Sequence, residues 1–268
     1  MKKLFLFPLI LVFLLSGAAF ASGLARPSGM GGAFIAISDD INGISINPAG
    51  ICYGTGQEVG FYGNVMSNAR GAGGGYMGTF EDASAWGVAL LRGSYTSFAW
   101  RTAYAAYSRE IFKGFALGLN VKSQAFIYPT RRGVATSSDI GLLHKVSEWF
   151  SWGFVVQDAV STPMTYDDGS PETPRSRYLE GGFAWKLMDG GLNAALDLRR
   201  DGTVFSYQAG VEGKMTDSLV LRGGVSGSAS DVSLQSLSAG LGYEVMDGQM
   251  FDIAIGRDST TASYSWLI

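Results

Sequence analysis

The chain has 268 residues and a formal net charge of −3, which argues against nucleic acid or an anionic lipid surface as a partner. Only 16% of residues are charged, whereas 38 are glycine and 13% are aromatic, a composition that favours a closed all-β sheet over a soluble enzyme. One cysteine, Cys52, and one histidine, His144, exclude an intramolecular disulfide and a His-rich metal site.

The first element is a predicted signal peptide over residues 1–21. Lys2 and Lys3 supply its positive end, and residues 4–15 form an apolar run too short to cross a bilayer. The sequence Ala-Phe-Ala at 19–21 fits a cleavage site, so the mature chain is expected to begin near Ser22. The sequence therefore predicts export, and no later run is long and apolar enough for a transmembrane helix.

A glycine-rich stretch, GMGGAFIAISDDINGISINPAG, follows at residues 29–50. A phosphate-binding loop needs glycines spaced as G-x-G-x-x-G, but Phe34 occupies the third position, and no lysine or parallel-sheet pattern follows. The composition instead predicts a compact irregular segment. Ser38 with Asp39 and Asp40 is expected to cap a short helix, and Pro48 is expected to end it before the first strand.

From residue 58 onward, short segments alternate between apolar and polar residues with the period of a β-strand. In residues 192–200, for example, four aliphatic side chains alternate with Asn193, Asp197 and Arg199. Fourteen strands are predicted, and bacterial single-chain barrels have even counts. The predicted strands lie near residues 58–66, 71–80, 83–93, 97–109, 114–127, 136–146, 149–159, 177–188, 191–200, 203–214, 219–228, 232–246, 249–258 and 260–268.

A soluble β-sandwich shows the same period, but its outer face normally carries more Lys and Glu than the Ser- and Gly-rich polar face seen here. Together with the export signal, this favours an antiparallel transmembrane β-barrel whose apolar face meets lipid. The connections also fit, because the longest ones, at 161–175 and after residue 127, follow odd-numbered strands and so lie on one side. The expected location is the bacterial outer membrane. The expected partners are outer-membrane lipid and the outer-membrane assembly machinery.

Arg26, the run GMGGAF, the pair Asp39-Asp40 and the run NPAG together resemble the amino-terminal signature of the FadL/TodX and PorV/PorQ-like outer-membrane barrels. The resemblance implies that residues 22–57 form a hatch that plugs a barrel of residues 58–268. It places the hatch motif at Gly29, Gly31, Gly32, Asp39, Asp40, Asn47, Pro48, Ala49 and Gly50.

Charged residues of both signs fall on the predicted polar faces of the strands, and these are the candidate lumen-lining residues. Either they pair across strands, fill the interior and hold the hatch, or they line a path for a solute. The ten candidates are Arg101, Lys122, Glu180, Lys186, Asp197, Arg199, Glu212, Arg222, Glu244 and Asp252.

Three functions fit these expectations to different degrees. The first is a passive FadL-like channel for hydrophobic or small molecules, gated by the hatch; the alternative is a PorV/PorQ-like structural or protein-secretion partner. A hydrolase lacks support because His144 has no Ser-His-Asp pattern around it, so no enzyme activity and no cofactor are predicted.

Cys52 is expected to be a packed residue rather than a reactive thiol. The acidic run 167–172 fits a solvated loop better than a calcium site.

Overall fold

The structure is a computed structural model of the chain. The predicted signal peptide and its cleavage site lie outside the described residues. The structure describes residues 25–66, 69–172, 176–230, 232–246, 248–258 and 264–267.

β-Strands account for most of the described chain. Their lengths of ten to fourteen residues suit strands that cross a bilayer at a tilt, apart from two short strands, β8 and β15. The strands are β1 Gln57–Met66, β2 Ala69–Thr79, β3 Ser84–Tyr95, β4 Ala99–Phe112, β5 Phe115–Ile127, β6 Arg132–Lys145, β7 Phe150–Ser161, β8 Thr165–Tyr166, β9 Tyr178–Leu187, β10 Leu192–Asp201, β11 Val204–Lys214, β12 Leu219–Ser228, β13 Ser233–Met246, β14 Gln249–Asp258 and β15 Tyr264–Leu267.

The strands close into a barrel. Each strand pairs antiparallel with its sequence neighbour, β7 pairs with β9, and β15 returns to β1, so fourteen strands form a continuous ring. The two-residue strand β8 lies outside the ring and, among the described residues, pairs with the start of β6 alone. β15 bridges the ring near the loop end, where it pairs with residues 64–66 of β1 and 254–257 of β14. Among the described residues, no strand pairs with residues 57–63 of β1 on that side. Elsewhere the ring pairing satisfies the backbone hydrogen bonds of the wall, as a bilayer requires. The predicted all-β antiparallel barrel of about fourteen strands is confirmed.

The two faces of the wall differ as the alternation predicts. On β3, Trp86, Val88 and Leu90 point outward and are 39%, 43% and 68% exposed, whereas Ala85 and Ala89 point inward and are buried. Bulky apolar side chains on the outside and small residues on the inside are what a barrel in lipid with a filled interior needs. We call the end where β1 begins the terminus end and the opposite end, with the connection between β7 and β9, the loop end.

Short helical turns before β1 form the segment that we call the hatch, residues 25–56. They are α1 Ala25–Gly29 and two 3-10 helices, Ile41–Ile44 and Pro48–Tyr53. Asp40 caps the first 3-10 helix by accepting a hydrogen bond from the Asn42 amide at 2.8 Å. The expectation that the chain runs straight to the first strand after Pro48 is wrong, because Asn47 caps a second turn through the Ala49 amide at 3.1 Å.

The structure departs from the predicted strand pattern at the end of β4, which reaches Phe112 rather than residue 109, at the start of β6 and in the connection after β7. β6 begins at Arg132 rather than near residue 136, because the connection from β5 is a tight turn closed by the Tyr128 amide and the Arg131 carbonyl at 2.9 Å. The long connection after β7 folds back on β6 through β8 and buries Met164. A third 3-10 helix, Met188–Gly190, joins β9 to β10. No helix in the described part of the chain is long and apolar enough to cross a membrane.

Candidate functional site: the hatch and the barrel wall

Polar side chains of the wall hold the backbone of the hatch inside the barrel. Ser108 of β4 donates a hydrogen bond to the Ala49 carbonyl at 2.8 Å, and Ser151 of β7 donates to the Ala36 carbonyl at 2.7 Å. Asn120 of β5 donates to the Ile44 carbonyl at 3.0 Å. Irregular backbone inside a closed barrel has no neighbouring strand to bond, so these wall side chains satisfy it.

Asn47 of the hatch and Asp197 of the wall both bond the hatch backbone near Ile35. The Asn47 side chain donates to the carbonyls of Ile35, at 2.8 Å, and Leu142, at 3.1 Å. The carboxylate of Asp197, on β10, accepts from the amides of Phe34, at 2.6 Å, and Ile35, at 2.9 Å. Both polar side chains are almost fully buried, so each bond is made away from competing water.

Arg26 is the centre of an ion cluster at the start of the hatch. Its guanidinium contacts Asp39 at 2.8 Å and Asp40 at 2.7 Å within the hatch, and it forms a two-pronged pair with Glu212 of the wall at 2.9 Å. It also stacks 5.0 Å from the Phe34 ring. A planar guanidinium suits this arrangement because its donors diverge in a fixed fork.

Burial and charge oppose each other in this cluster. Burial alone would lower the pKa of Arg26, but Asp39, Asp40 and Glu212 outweigh it and hold that pKa well above its usual value. Burial raises the pKa of Asp40 against the pull of Arg26, so its carboxylate depends on the arginine beside it to stay charged. Arg26 is therefore the group on which the cluster depends.

The wall continues the ion cluster beyond Glu212. Arg222 of β12 contacts Glu212 at 2.7 Å and also pairs with Asp252 of β14. On the opposite side, Glu58 of β1 accepts a hydrogen bond from the Ile41 amide at 3.0 Å. The hatch is thus tied to β1 by the carboxyl group of Glu58 and to β11 by that of Glu212.

Glycines of the wall allow the hatch backbone to lie directly against the strands. A methyl group on Gly118 of β5 would overlap Pro48 and the Ala49 amide, and one on Gly210 of β11 would overlap the Met30 carbonyl. The apolar side chains of the hatch then pack on small wall residues such as Ala106. Glycine at these wall positions therefore leaves room for the backbone of the hatch.

Gly118→Ala is expected to disturb the seat of the hatch. The added methyl overlaps backbone rather than a flexible side chain, so the mismatch costs about 1–3 kcal/mol and speeds hydrogen exchange of hatch amides about tenfold or more. The matched control is Gly181→Ala on β9, where a methyl would lie 3.7 Å from Phe154. Hydrogen exchange with mass spectrometry checks both variants. Equal protection of the hatch in the two proteins would contradict the assigned contact.

A second buried ion cluster lies in the wall itself. Lys122 of β5 contacts Asp139 of β6 at 2.7 Å and Asp158 of β7 at 3.0 Å, and all three side chains are at least 95% buried. Asp158 has a φ of 53°, and a register shift occurs in the β6–β7 pairing beside it. The bulge brings the Asp158 amide to the Asp139 carboxylate at 2.7 Å.

A cavity with a volume of about 770 Å³ adjoins the hatch. It lies between the hatch and the wall, where β1 and β14 are not bridged by β15. Ile41 of the hatch, Tyr62 and Leu91 of the inner face and the outward-facing Phe61 all line it. Its lining also includes six side chains with a carboxyl or guanidinium group, Arg26, Asp40, Glu58, Glu212, Arg222 and Asp252. Its size falls in the range of small-ligand sites, and it has both apolar and polar surface.

The ten candidate lumen residues separate into groups. Lys122, Glu180, Asp197, Glu212 and Arg222 are buried on the inner face. Arg199 pairs with Glu180 at 3.3 Å, and Asp252 pairs with Arg222. Lys186 and Glu244 also lie on inner-face positions but close to the terminus end, where Lys186 is exposed and Glu244 accepts from the Gly248 amide of the next turn at 2.9 Å.

The prediction that Arg101 lines the lumen is wrong. On β4 the buried residues are Thr102, Ala106 and Ser108, so the even-numbered positions point inward and Arg101 points outward, where it is exposed. The prediction took the polar residue to mark the inner face. In this strand alanines and aromatics occupy both faces, so the hydrophobic pattern does not fix which face is which.

The predicted hatch-motif residues all lie in the inserted segment. Gly31 and Gly32 have positive φ values of 69° and 93°, which explains glycine at those positions. A methyl on Gly50 would overlap Ser38, so the end of the motif packs on its middle. The motif residues Gly29, Asn47, Pro48, Ala49 and Gly50 are buried, and Gly31, Gly32, Asp39 and Asp40 are partly buried.

Several residues of the site were missed by the sequence analysis. Ser108, Asn120, Asp139 and Asp158 carry polar contacts to the hatch or inside the wall, and Glu58 bonds the hatch. The only available signal was a polar residue on the inner face of a strand. That signal does not separate a side chain that bonds the hatch from one that faces water.

The remaining reactive residues serve packing. His144 lies in edge contact with the rings of Phe115 and Trp152, at 5.6 and 5.8 Å between centroids. Cys52 is a buried free cysteine, and burial raises the pKa of its thiol. In the loop at 167–172, Asp167 accepts from the Arg132 amide at 2.8 Å. Among the described residues, no group of three or more His, Cys, Asp or Glu side chains is placed to hold a metal ion.

No protein-family model and no curated protein sequence matches the chain. Several solved structures do superpose on the chain. The toluene transporter TbuX of Ralstonia pickettii superposes with a TM-score of 0.73 at 12% identity, over 93% of this chain and 97% of that one. The toluene transporter TodX of Pseudomonas putida gives 0.69 at 12% identity, over 93% and 97%. The chain shares the fold of these transporters. A FadL homologue of Pseudomonas aeruginosa has a TM-score of 0.64 at 11% identity, over 93% of this chain and 98% of that chain.

Proposed function

We propose that the chain is an outer-membrane channel for hydrophobic or small molecules, and that the hatch gates it. The observation that carries the proposal is the cavity of about 770 Å³ between the hatch and the wall, where Ile41, Tyr62 and Leu91 supply apolar surface. The similarity to toluene transporters supports the class of solute. A PorV/PorQ-like role in protein secretion has no observation in its favour.

Gating follows from how the hatch is held. Its apolar side chains are buried, but on the side of the cavity it is tied through the ion pairs of Arg26 and the hydrogen bond from Ile41 to Glu58. Because water can replace these polar contacts, the hatch can take a closed and an open position that differ by a modest free energy. In this mechanism the cavity side of the hatch moves, and the backbone contacts with Asp197 and Asn47 keep the other side in place.

Glu212→Gln is expected to raise solute flux roughly tenfold, because a charge-assisted hydrogen bond contributes about 1.5 kcal/mol or more to the closed state. The matched control is Glu180→Gln. Glu180 is equally buried and also pairs with an arginine, Arg199, but that partner belongs to the wall. Flux is measured in liposomes with a fluorescent long-chain fatty acid and with a small sugar.

Absence of flux decides against the channel. If neither solute crosses with the wild-type chain or with a chain lacking residues 22–50, the barrel is not a channel. If Glu180→Gln opens the barrel as much as Glu212→Gln, flux does not depend on the hatch contact. Capture of one exported protein by the wild-type chain, without flux, would favour the secretion partner.

A further inference from the structure

Three arginines lie on the outward face near the loop end of neighbouring strands. They are Arg70 of β2, Arg92 of β3 and Arg101 of β4, and all three are exposed. We call them the arginine cluster. Arg92 shares its face with Leu90, which is 68% exposed, so the cluster belongs to the same surface as the apolar side chains of the wall.

The register of the strands brings the three charges together. Arg92 lies directly opposite Arg101, and Arg70 lies opposite Ser94, the next outward residue after Arg92. Directly opposed side chains in an antiparallel pair lie about 5 Å apart and diagonal ones about 7–8 Å. Like charges at these separations repel each other, so this arrangement favours a bound anion.

No acidic side chain is available on these strands near the cluster. The sequence has no Asp or Glu from residue 59 to 80 or from 83 to 109. Within the described residues, the polar contact of the cluster is Arg70 to the Ser94 hydroxyl at 3.4 Å, with no ion pair to any of the three arginines. By contrast Arg109, on the same face of β4 at the terminus end, pairs with Asp82 at 3.4 Å.

The arginine cluster lies at the edge of the apolar outer surface nearest the loop end. On β3 the outward residues from the terminus end are Trp86, Val88 and Leu90, followed by Arg92. Beyond them, Tyr95 is 42% exposed and stacks on Phe98 at 5.1 Å. Aromatic and basic side chains at the end of an apolar band mark the level of lipid headgroups.

We propose that the arginine cluster binds the phosphate groups of lipid A, the phosphorylated glycolipid of the bacterial outer leaflet. This inference rests on the proposed outer-membrane placement, in which the end with the longest loop faces outward. Arginine suits phosphate because its planar fork makes paired hydrogen bonds, and the acyl chains then lie along the apolar surface that includes Leu90 and Val88.

Local charge, rather than net charge, decides this interaction. The net charge of −3 argues against an anionic lipid surface only if charges are spread evenly, and here three arginines lie together on one patch of the outer face. A lipid with phosphates at both ends of a disaccharide can bridge a row of three arginines. A phospholipid with one phosphate satisfies fewer of them, so lipid A is the favoured occupant.

The test uses the full-length barrel purified in detergent and fluorescent diphosphoryl lipid A as the probe. The triple variant Arg70→Gln, Arg92→Gln and Arg101→Gln is expected to bind it roughly 100-fold more weakly, since each surface arginine contributes about fivefold. Wild-type affinity should fall with added salt, and that of the triple variant should respond less. Arg109→Gln is the matched control and should bind as wild type does.

Each other outcome overturns the inference. Equal affinity of the wild type and the triple variant removes the cluster as the site. Equal binding of dephosphorylated lipid A or of phosphatidylglycerol removes the assignment to lipid A phosphates. Heat-modifiable gel mobility shows that each variant is folded. Flux through liposomes lacking lipid A is measured in parallel, so loss of channel activity and loss of lipid binding are scored independently.

Discussion

Arg26→Met will release the cavity side of the hatch. The substitution leaves Asp39, Asp40 and Glu212 close together, with Arg222 as the only basic partner of Glu212 that remains among the described residues. Removing one member of a largely buried ion cluster leaves uncompensated charge, which costs about 3 kcal/mol or more. We expect hydrogen exchange of amides near Asp39 and Asp40 to accelerate by roughly 100-fold, and solute flux to rise.

Arg109→Met is the control for Arg26→Met. Arg109 also contacts a carboxylate, Asp82 at 3.4 Å, but both side chains are more than half exposed. Exposed pairs contribute little, so this variant should leave both hatch exchange and flux unchanged. Wild-type exchange rates in the hatch of Arg26→Met would show that the ion cluster does not hold it. Faster exchange without greater flux would retain the cluster as an anchor but separate it from gating.

The barrel could be predicted from the sequence because alternation and turn residues repeat over many strands. Most predicted strand ends lie within two residues of the observed ones, and β12 has the predicted bounds of 219–228. An error in one strand does not alter the ring, since each strand pairs with its neighbour. The hatch was placed by its glycines, its Asp pair and a family resemblance rather than by any periodicity.

The contacts between hatch and wall could not be predicted, because they depend on distant parts of the chain. Asp197 bonds the amides of Phe34 and Ile35, more than 160 positions away. The closeness of Gly118 to Pro48 depends on the barrel having closed around the hatch. Alternation gives the relative face of each side chain, but it does not say which inner residue meets the hatch.

Arg101 and Asp158 show where alternation is not enough to place a side chain. In β4 both faces carry alanine and aromatic side chains, so the pattern alone did not orient Arg101. In β7 the register shift and the positive φ of Asp158 interrupt the alternation and turn that carboxylate inward to Lys122. A strict period of two does not include such a bulge. Both exceptions fall at the charged features of the barrel, the arginine cluster and the buried wall cluster.

Lys122→Met is expected to destabilise the barrel more than any other single change considered. It leaves Asp139 and Asp158 both buried and without their shared cation, at a cost of about 3–5 kcal/mol. The temperature at which the folded gel mobility is lost should fall by roughly 10 °C. The control is Lys214→Met, whose exposed pair with Asp217 spans 3.7 Å and should matter little.

The rescue variant separates lost charge pairing from lost packing. Adding Asp139→Asn and Asp158→Asn to Lys122→Met removes both buried charges, and the side-chain amide that Asp139→Asn introduces keeps an oxygen that can accept from the backbone amide of residue 158. Recovery of most of the lost melting temperature is expected, since the two buried side chains that lost their shared cation are then neutral. Failure to recover would assign the loss to the packing of the lysine stem. Because Asn120 links the Asp139 amide to the Ile44 carbonyl, at 3.1 and 3.0 Å, hatch exchange should also recover in the triple variant.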